Sequence, residues 1–494
     1  MTPEMLTIAS IAVPAIASLL VPLFGRWPNL RDTVTMIASV TGAVVVIALV
    51  GTVLGGARPV VRVATLLPGL DIVFAVEPLG ALFAATAAIL RTANSLYSIG
   101  YLRAENEPRQ TQFYLFFGVA ITATIAVALA GNLFTLFLFY EVLTLSTYPL
   151  VTHRATPEAM RAGRLYLLML VGSSTALLLP AIIWTGFAAG TLDFAAAGTL
   201  DGKLAPALVP ILLALYVFGT GKAAVMPMHF WLPAAMVAPT PVSALLHAVA
   251  VVKTGVFVIL KVIVLVFGTG FLMRTSGSQW LIYVAGFTVV VGSLIALRQD
   301  EFKRRLAYST VSQLSYIVMA AALLTPLSVV GAALHLAAHA VSKITLFFVA
   351  GALHAGLHID RVSEMNGIGR KMPWTMIAYT IGAISIIGLP PTAGFLGKWF
   401  MLGGAAEAGQ WFVIGVLVLS TVLNAAYLLP ITYNAFFRAP DAKGDAHAVG
   451  HGSPGRDEGS AAMLVAVLAT ALGALALFFF PNDVLELARA FGAQ

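Results

Sequence analysis

An all-α protein that crosses the membrane many times is the fold class this sequence predicts. Three observations lead there. Of the 494 residues, 60% are apolar and only 10% are charged, where an ordinary soluble domain carries roughly 25% charged residues. A soluble chain of this composition would expose far more apolar surface than water tolerates. The apolar residues also fall into fourteen separate stretches, each near the roughly 20 residues that span a bilayer. Disorder, collagen-like repeats and a disulfide scaffold are excluded together. The chain has no cysteine, so thiolate zinc, Cys-ligated iron–sulfur clusters and c-type haem are excluded as well.

The stretches lie near 4–24, 33–57, 78–102, 111–130, 132–152, 160–186 and 206–233, then 239–268, 279–297, 306–325, 326–356, 373–401, 410–437 and 461–480. The first is expected to be a retained helix, because the residues before it carry Glu4 and no basic residue. Segment 438–460, with Gly444, Gly450, Gly452, Pro454 and Gly455, reads as a flexible cytoplasmic loop. His447 and His451 in it are expected to be solvated rather than metal ligands. The tail is expected to form a short interfacial helix starting near Asp483.

Charge sorts by side. Seventeen of the 28 basic residues fall in odd-numbered connections and five in even-numbered ones or the tail. The positive-inside rule then places the odd connections in the cytoplasm and both termini outside the cell's inner membrane. The net charge of +7 therefore calls for no nucleic-acid partner.

Six basic residues remain inside spans: Arg91, Lys222, Lys253, Lys261, Lys343 and Lys398, with Glu141 as the acid well inside one. Each charged side chain costs about 2.5–3.5 kcal/mol at a helix centre, so these groups face protein or water and mark a path for charge. A lone carboxylate keeps its charge in hydrocarbon only beside a cation. Lys222 is the expected partner of Glu141, with Arg91 in reserve. Paired, both stay charged; separated, neither charge is compensated and protons move.

Two spans are broken alike. The seventh reads Phe218-Gly219-Thr220-Gly221-Lys222 with Pro227 beyond, and the twelfth reads Gly388-Leu389-Pro390-Pro391 followed by Gly394-Phe395-Leu396-Gly397-Lys398. Glycine and proline weaken the helical ladder and free carbonyls near the midplane, and transporters use such breaks in two repeated halves. A packing kink beside a snorkelling lysine is the plainer alternative. Neither Gly-Lys is a phosphate loop, because the positions that need Gly and Ser or Thr hold Tyr216 and Ala223 around Lys222, and Thr392 and Trp399 around Lys398.

In the eleventh span His335, His339 and Lys343 recur every four residues, which lays one polar stripe along the helix. Histidine changes charge near neutral pH, so the stripe suits proton passage; with no acid or cysteine in the span, metal binding is not expected. His247 and Lys253 in the eighth span are six residues apart and need not share a face. No metal site and no cofactor is expected.

The segments Phe139–Val151 (FYEVLTLSTYPLV), His229–Ala235 (HFWLPAA) and Ala238–His247 (APTPVSALLH) resemble the antiporter-like subunits shared by respiratory complex I and Mrp-type cation/proton antiporters. Within that family the likeness is nearest to D-type Mrp subunits. The resemblance implies about fourteen core helices, two inverted five-helix repeats and discontinuous helices 7 and 12. It implies three leading helices over 1–110, repeats over 111–268 and 279–437, and a last helix with its tail over 461–494. It implies that Glu141 and Lys222 match the family's glutamate–lysine pair, Lys253 its helix 8 lysine, Lys343 or His339 its helix 11 relay and Lys398 its helix 12 ionisable residue. It also implies a transporter subunit rather than an enzyme, Na⁺ as the coupled cation, and A-like and small membrane subunits as partners. A proton-pumping subunit of a redox or hydrogenase complex is the rival reading, and a structural scaffold whose charges only organise packing is a third.

Overall fold

The computed structural model describes residues 1–439 and 458–493. The loop expected at 438–460, with His447 and His451, therefore lies almost wholly outside the described residues. The helices, numbered here in chain order, are α1 (Pro3–Leu20), α2 (Pro28–Leu54), α3 (Pro78–Ala104), α4 (Gln110–Ala128), α5 (Leu133–Val151) and α6 (Pro157–Ala189). They continue with α7 (Val209–Gly219), α8 (Thr240–Phe267), α9 (Gln279–Arg298), α10 (Phe302–Ala322) and α11 (Pro326–Leu357). Next come α12, in two pieces (Pro373–Ile387 and Ala393–Glu407), α13 (Trp411–Phe437), α14 (Ala461–Phe479) and α15 (Asn482–Gly492).

Many helices begin where the sequence supplies a start signal. Proline occupies the first turn of α1, α2, α3, α6 and α11, where its missing N–H costs nothing. The side chains of Thr2, Asn132, Thr156, Thr325 and Ser460 accept the N–H three residues on, in the N-cap manner.

Eleven described helices are long and apolar enough to cross a membrane. The other three expected segments fall short for physical reasons. α7 and the first piece of α12 stop at the predicted breaks, and α10 has the length but carries Lys303, Arg304, Arg305 and a polar face.

α8 and α11 form the spine. Their most apolar stretches are fully buried in protein, and α11 packs against α3, α8, α10, both pieces of α12, α14 and α15. α8 is not a regular helix. π-turns at Leu245–Val249 and Val262–Phe267 interrupt it, a feature common where helices carry function. The peripheral helices expose Ile8, Ile37, Val44, Phe187, Val422 and Leu472, the apolar outside that lipid tails require.

One element goes beyond the expected helices. Val60–Leu67 and Leu70–Ala75 form an antiparallel hairpin, β1–β2. Pro68-Gly69 makes its turn, with Gly69 at φ +83°, a backbone that suits glycine. The hairpin is pinned to the start of α5: Val73 N–H donates to Thr135 Oγ1 (2.9 Å) and Asn132 Nδ2 donates to the Asp71 carbonyl (2.9 Å). α15 begins where the tail helix was expected, but Leu487, Ala488 and Phe491 bury its apolar face against α3 and α11.

Candidate functional site

The break in α7 comes first along the chain. The helix ends at Gly219, residues Gly221–Ala223 make a single 3₁₀ turn, and Ala224 turns back at φ +54°. The Gly221 carbonyl accepts the Ala224 N–H of that turn at 3.1 Å and also the Trp231 indole N–H at 3.0 Å. α8 presses on this turn through Gly255, where an added Cβ would lie 2.2 Å from the Ala223 nitrogen. Only glycine permits that approach.

The turn delivers Lys222, fully buried, against α5. Its Nζ donates to the Tyr140 carbonyl at 2.9 Å and to Thr144 Oγ1 at 2.6 Å, and sits 3.0 Å from the centre of the Tyr140 ring. Glu141 is the next residue on α5, half-buried, with Oε1 enclosed and unbonded among the described residues. No ion pair within 4 Å joins it to Lys222 among those residues. The lysine is held by the backbone beside the glutamate, one residue from the expected partner. Arg91, the reserve, is buried on α3 against Gly42 and also makes no ion pair among the described residues.

Lys253 on α8 meets α11: its Nζ hydrogen-bonds His339 Nδ1. Both side chains are buried, at 0% and 1% exposure. The His339 ring stacks on His335 at 6.0 Å and 16° between planes. His335 Nε2 bonds Gln313 Oε1 of α10 at 3.0 Å, and its ring lies 5.7 Å from that of Tyr316. Tyr316 in turn faces Lys398, whose Nζ is 4.8 Å from the ring centre. Lys253, His339, His335, Tyr316 and Lys398 therefore follow one another across three helices into α12.

Lys343 leaves this line. Its Nζ donates to Ser309 Oγ at 2.8 Å and to the Leu306 carbonyl at 3.3 Å. The Tyr427 hydroxyl reaches both Ser309 (2.9 Å) and Asn424 Oδ1 (2.6 Å). The stripe read from α11 thus divides between α8 and α10, and α13 joins only through the Tyr427–Ser309 bond. His247, fully buried in the first π-turn, packs its ring 4.8 Å from Phe347, and neither ring nitrogen has a partner among the described residues. Lys398 closes the second break: its Nζ donates to the Ile387 carbonyl at 2.8 Å and to Thr421 Oγ1 at 3.4 Å.

Sequence reasoning passed over Tyr140, Thr144, Ser309, Gln313 and Tyr316. The last three recur at i, i+4 and i+7 on α10, a helical face that was open to reading.

A many-helix membrane protein with two broken helices and a buried file of lysines and histidines is an antiporter-like membrane subunit. Comparison with known proteins places it further. The family described as "NADH:quinone oxidoreductase/Mrp antiporter, TM" matches residues 130–424, and the chain belongs to that family. It is 32% identical to the N-type subunit of the NADH-quinone oxidoreductase of Desulforudis audaxviator, over 98% of this chain and 97% of that one. It is 27% identical to the D-type subunit of the Na⁺/H⁺ antiporter of Alkalihalophilus pseudofirmus, over 87% of each chain. A chain of the Mrp complex from Dietzia sp. superposes with a TM-score of 0.87 at 26% identity, covering 100% of this chain and 97% of that one.

Proposed function

We propose that this chain is an ion-translocating subunit of a multisubunit monovalent cation (Na⁺)/proton antiporter of the inner membrane, with both termini on the outer side. It works beside A-like and small membrane subunits. Protons pass along Glu141, Lys222, Lys253, His339, His335 and Lys398, with Lys343 and His247 flanking the path. Residues 111–268 and 279–437 act as two inverted repeats, each with its own broken helix.

The observation that carries this reading is the Lys253–His339 hydrogen bond. It joins α8 of the first half to α11 of the second inside the protein, where a charge without a purpose would be selected against energetically. An ammonium bonded to a neutral imidazole passes a proton directly: one Lys253 N–H breaks, an Nδ1–H forms, and the positive charge moves to the ring. At the first break, Lys222 beside Glu141 supports a switch in which the ammonium leaves the Tyr140 carbonyl for the carboxylate. The energy scale is sufficient, because one charge crossing 100 mV is worth about 2.3 kcal/mol.

A redox-driven proton pump is the second reading, favoured by the 32% identity with an oxidoreductase subunit along nearly the whole chain. Electron transfer would then reside on other chains. The deciding experiment is collapse of a preformed pH gradient by Na⁺ in everted vesicles that contain the native complex, with respiration blocked after energisation. Collapse in the parent and none in Glu141→Gln at equal complex abundance is expected. Absence of collapse in both, with the complex intact, would select the redox-driven reading.

A further inference from the structure

Lys261 and Glu77 stand outside the relay and outside the roles argued above. They line a cavity of about 210 Å³ beneath the β1–β2 hairpin, on the face opposite the arginine-rich connections. Its volume admits several waters. Arg58, Glu77 and Lys261 are its charged lining; α5's approach at Ala130 and Gly131 and the segment Phe194–Ala196 contribute backbone and apolar groups. Arg58 stays at the rim, tied to the carbonyls of Val53 (2.9 Å) and Ala57 (2.8 Å).

Lys261 is 1% exposed, eight residues beyond Lys253 on α8. Its ammonium lies 2.5 Å from Glu77 Oε1, donates to the Ala130 carbonyl at 2.7 Å and faces the Phe194 ring at 4.1 Å. Glu77 heads α3 without capping it, so its carboxylate is free for the lysine. A carboxylate, a carbonyl and an aromatic face are the groups that receive a monovalent cation stripped of water. The cation now in place is a tethered amine. A simple structural tie would need the ion pair but not a water-sized cavity opening beside it.

We propose that Glu77, the Ala130 carbonyl and Lys261 form a cation–proton exchange site, at which a small monovalent cation replaces the Lys261 ammonium. The step balances. One Lys261 N–H bond breaks and the proton leaves on cavity water, the neutral amine withdraws, and the cation takes its place on Glu77 and Ala130. The site's net charge is zero before and after. The inference rests on the antiport reading for its purpose but not for its chemistry.

The test is Na⁺ binding to the purified complex, followed by ²³Na NMR at constant ionic strength with choline as the replacement cation. Because one proton leaves for each cation bound, affinity in the parent is expected to rise about tenfold per pH unit while Lys261 holds its proton. Lys261→Gln is expected to remove that pH dependence and Glu77→Gln to abolish the binding. Glu141→Gln is expected to bind Na⁺ as the parent does. A flat pH profile in the parent, or unchanged binding in an assembled Glu77→Gln complex, overturns the site. If neither variant assembles, the parent's profile alone decides. pH-linked binding at this site without Na⁺-driven collapse of a pH gradient would overturn the antiport reading and leave the site standing. Collapse that persists in an assembled Glu77→Gln complex would do the reverse.

Discussion

The breaks at Lys222 and Lys398 look alike in the sequence and differ in what each lysine holds. In α12, Lys398 lies one turn into the second piece and reaches back to the Ile387 carbonyl at the end of the first. It satisfies an acceptor its own break has freed, and at 9% exposure it is the less enclosed of the two. In α7 the Gly221 carbonyl is held by the Ala224 N–H and the Trp231 indole, and Lys222 binds another helix, α5, at the residue before Glu141. One lysine closes its own helix, and the other ties two helices together. The second arrangement is the one that a change in the charge of Glu141 can reset.

If that difference matters, Lys222→Gln has the larger effect of the two break lysines. It removes charge-assisted bonds to two buried acceptors, each worth about 1.5–3 kcal/mol, so cation/proton exchange should fall about 100-fold in an assembled complex. Lys398→Gln should cost less, about tenfold, because its second bond is long and its site is less enclosed. Equal losses in vesicle exchange assays would erase the contrast between the breaks.

Stability sharpens the same comparison. Gly394→Ala would set a Cβ 1.8 Å from the Ser385 carbonyl oxygen inside α12's break, and Gly255→Ala one 2.2 Å from the Ala223 nitrogen at α7's. Both should destabilise by ~1–3 kcal/mol through overpacking, read as a lower thermal denaturation midpoint of the complex. The smallest effect belongs to Tyr140→Phe. It removes a hydroxyl that accepts the Lys222 N–H at a long 3.4 Å and keeps the ring and carbonyl that hold the ammonium. Exchange should change by less than about twofold, or ~0.4 kcal/mol.

The spans were legible because hydrocarbon leaves little choice: an apolar run of sufficient length becomes a helix. The breaks were legible because glycine and proline act locally. The hairpin was only half legible: Pro68-Gly69 between β-branched runs signals a turn, but a two-stranded ribbon is marginal alone and this one depends on Thr135 and Asn132 of a distant segment. Pairings were the least legible. His335, His339 and Lys343 share a stripe by spacing, yet His339 finds its partner on α8 and the other two find theirs on α10, and no single-helix periodicity encodes how neighbours are rotated. Glu141 and Lys222 were brought to one place, but the contact fell on the Tyr140 carbonyl, an acceptor that every residue has and no side-chain inventory reveals. Lys261 found its acid in Glu77, 184 positions away along the chain, a distance that only the fold closes.

The central claim is that charge crosses between the two halves through Lys253 and His339. Lys253→Gln tests it most directly, with Na⁺-driven collapse of a pH gradient measured in everted vesicles at complex abundance equal to the parent's. The account predicts that collapse is lost while Na⁺ binding at Glu77 and Lys261 persists. Collapse at the parental rate would contradict it.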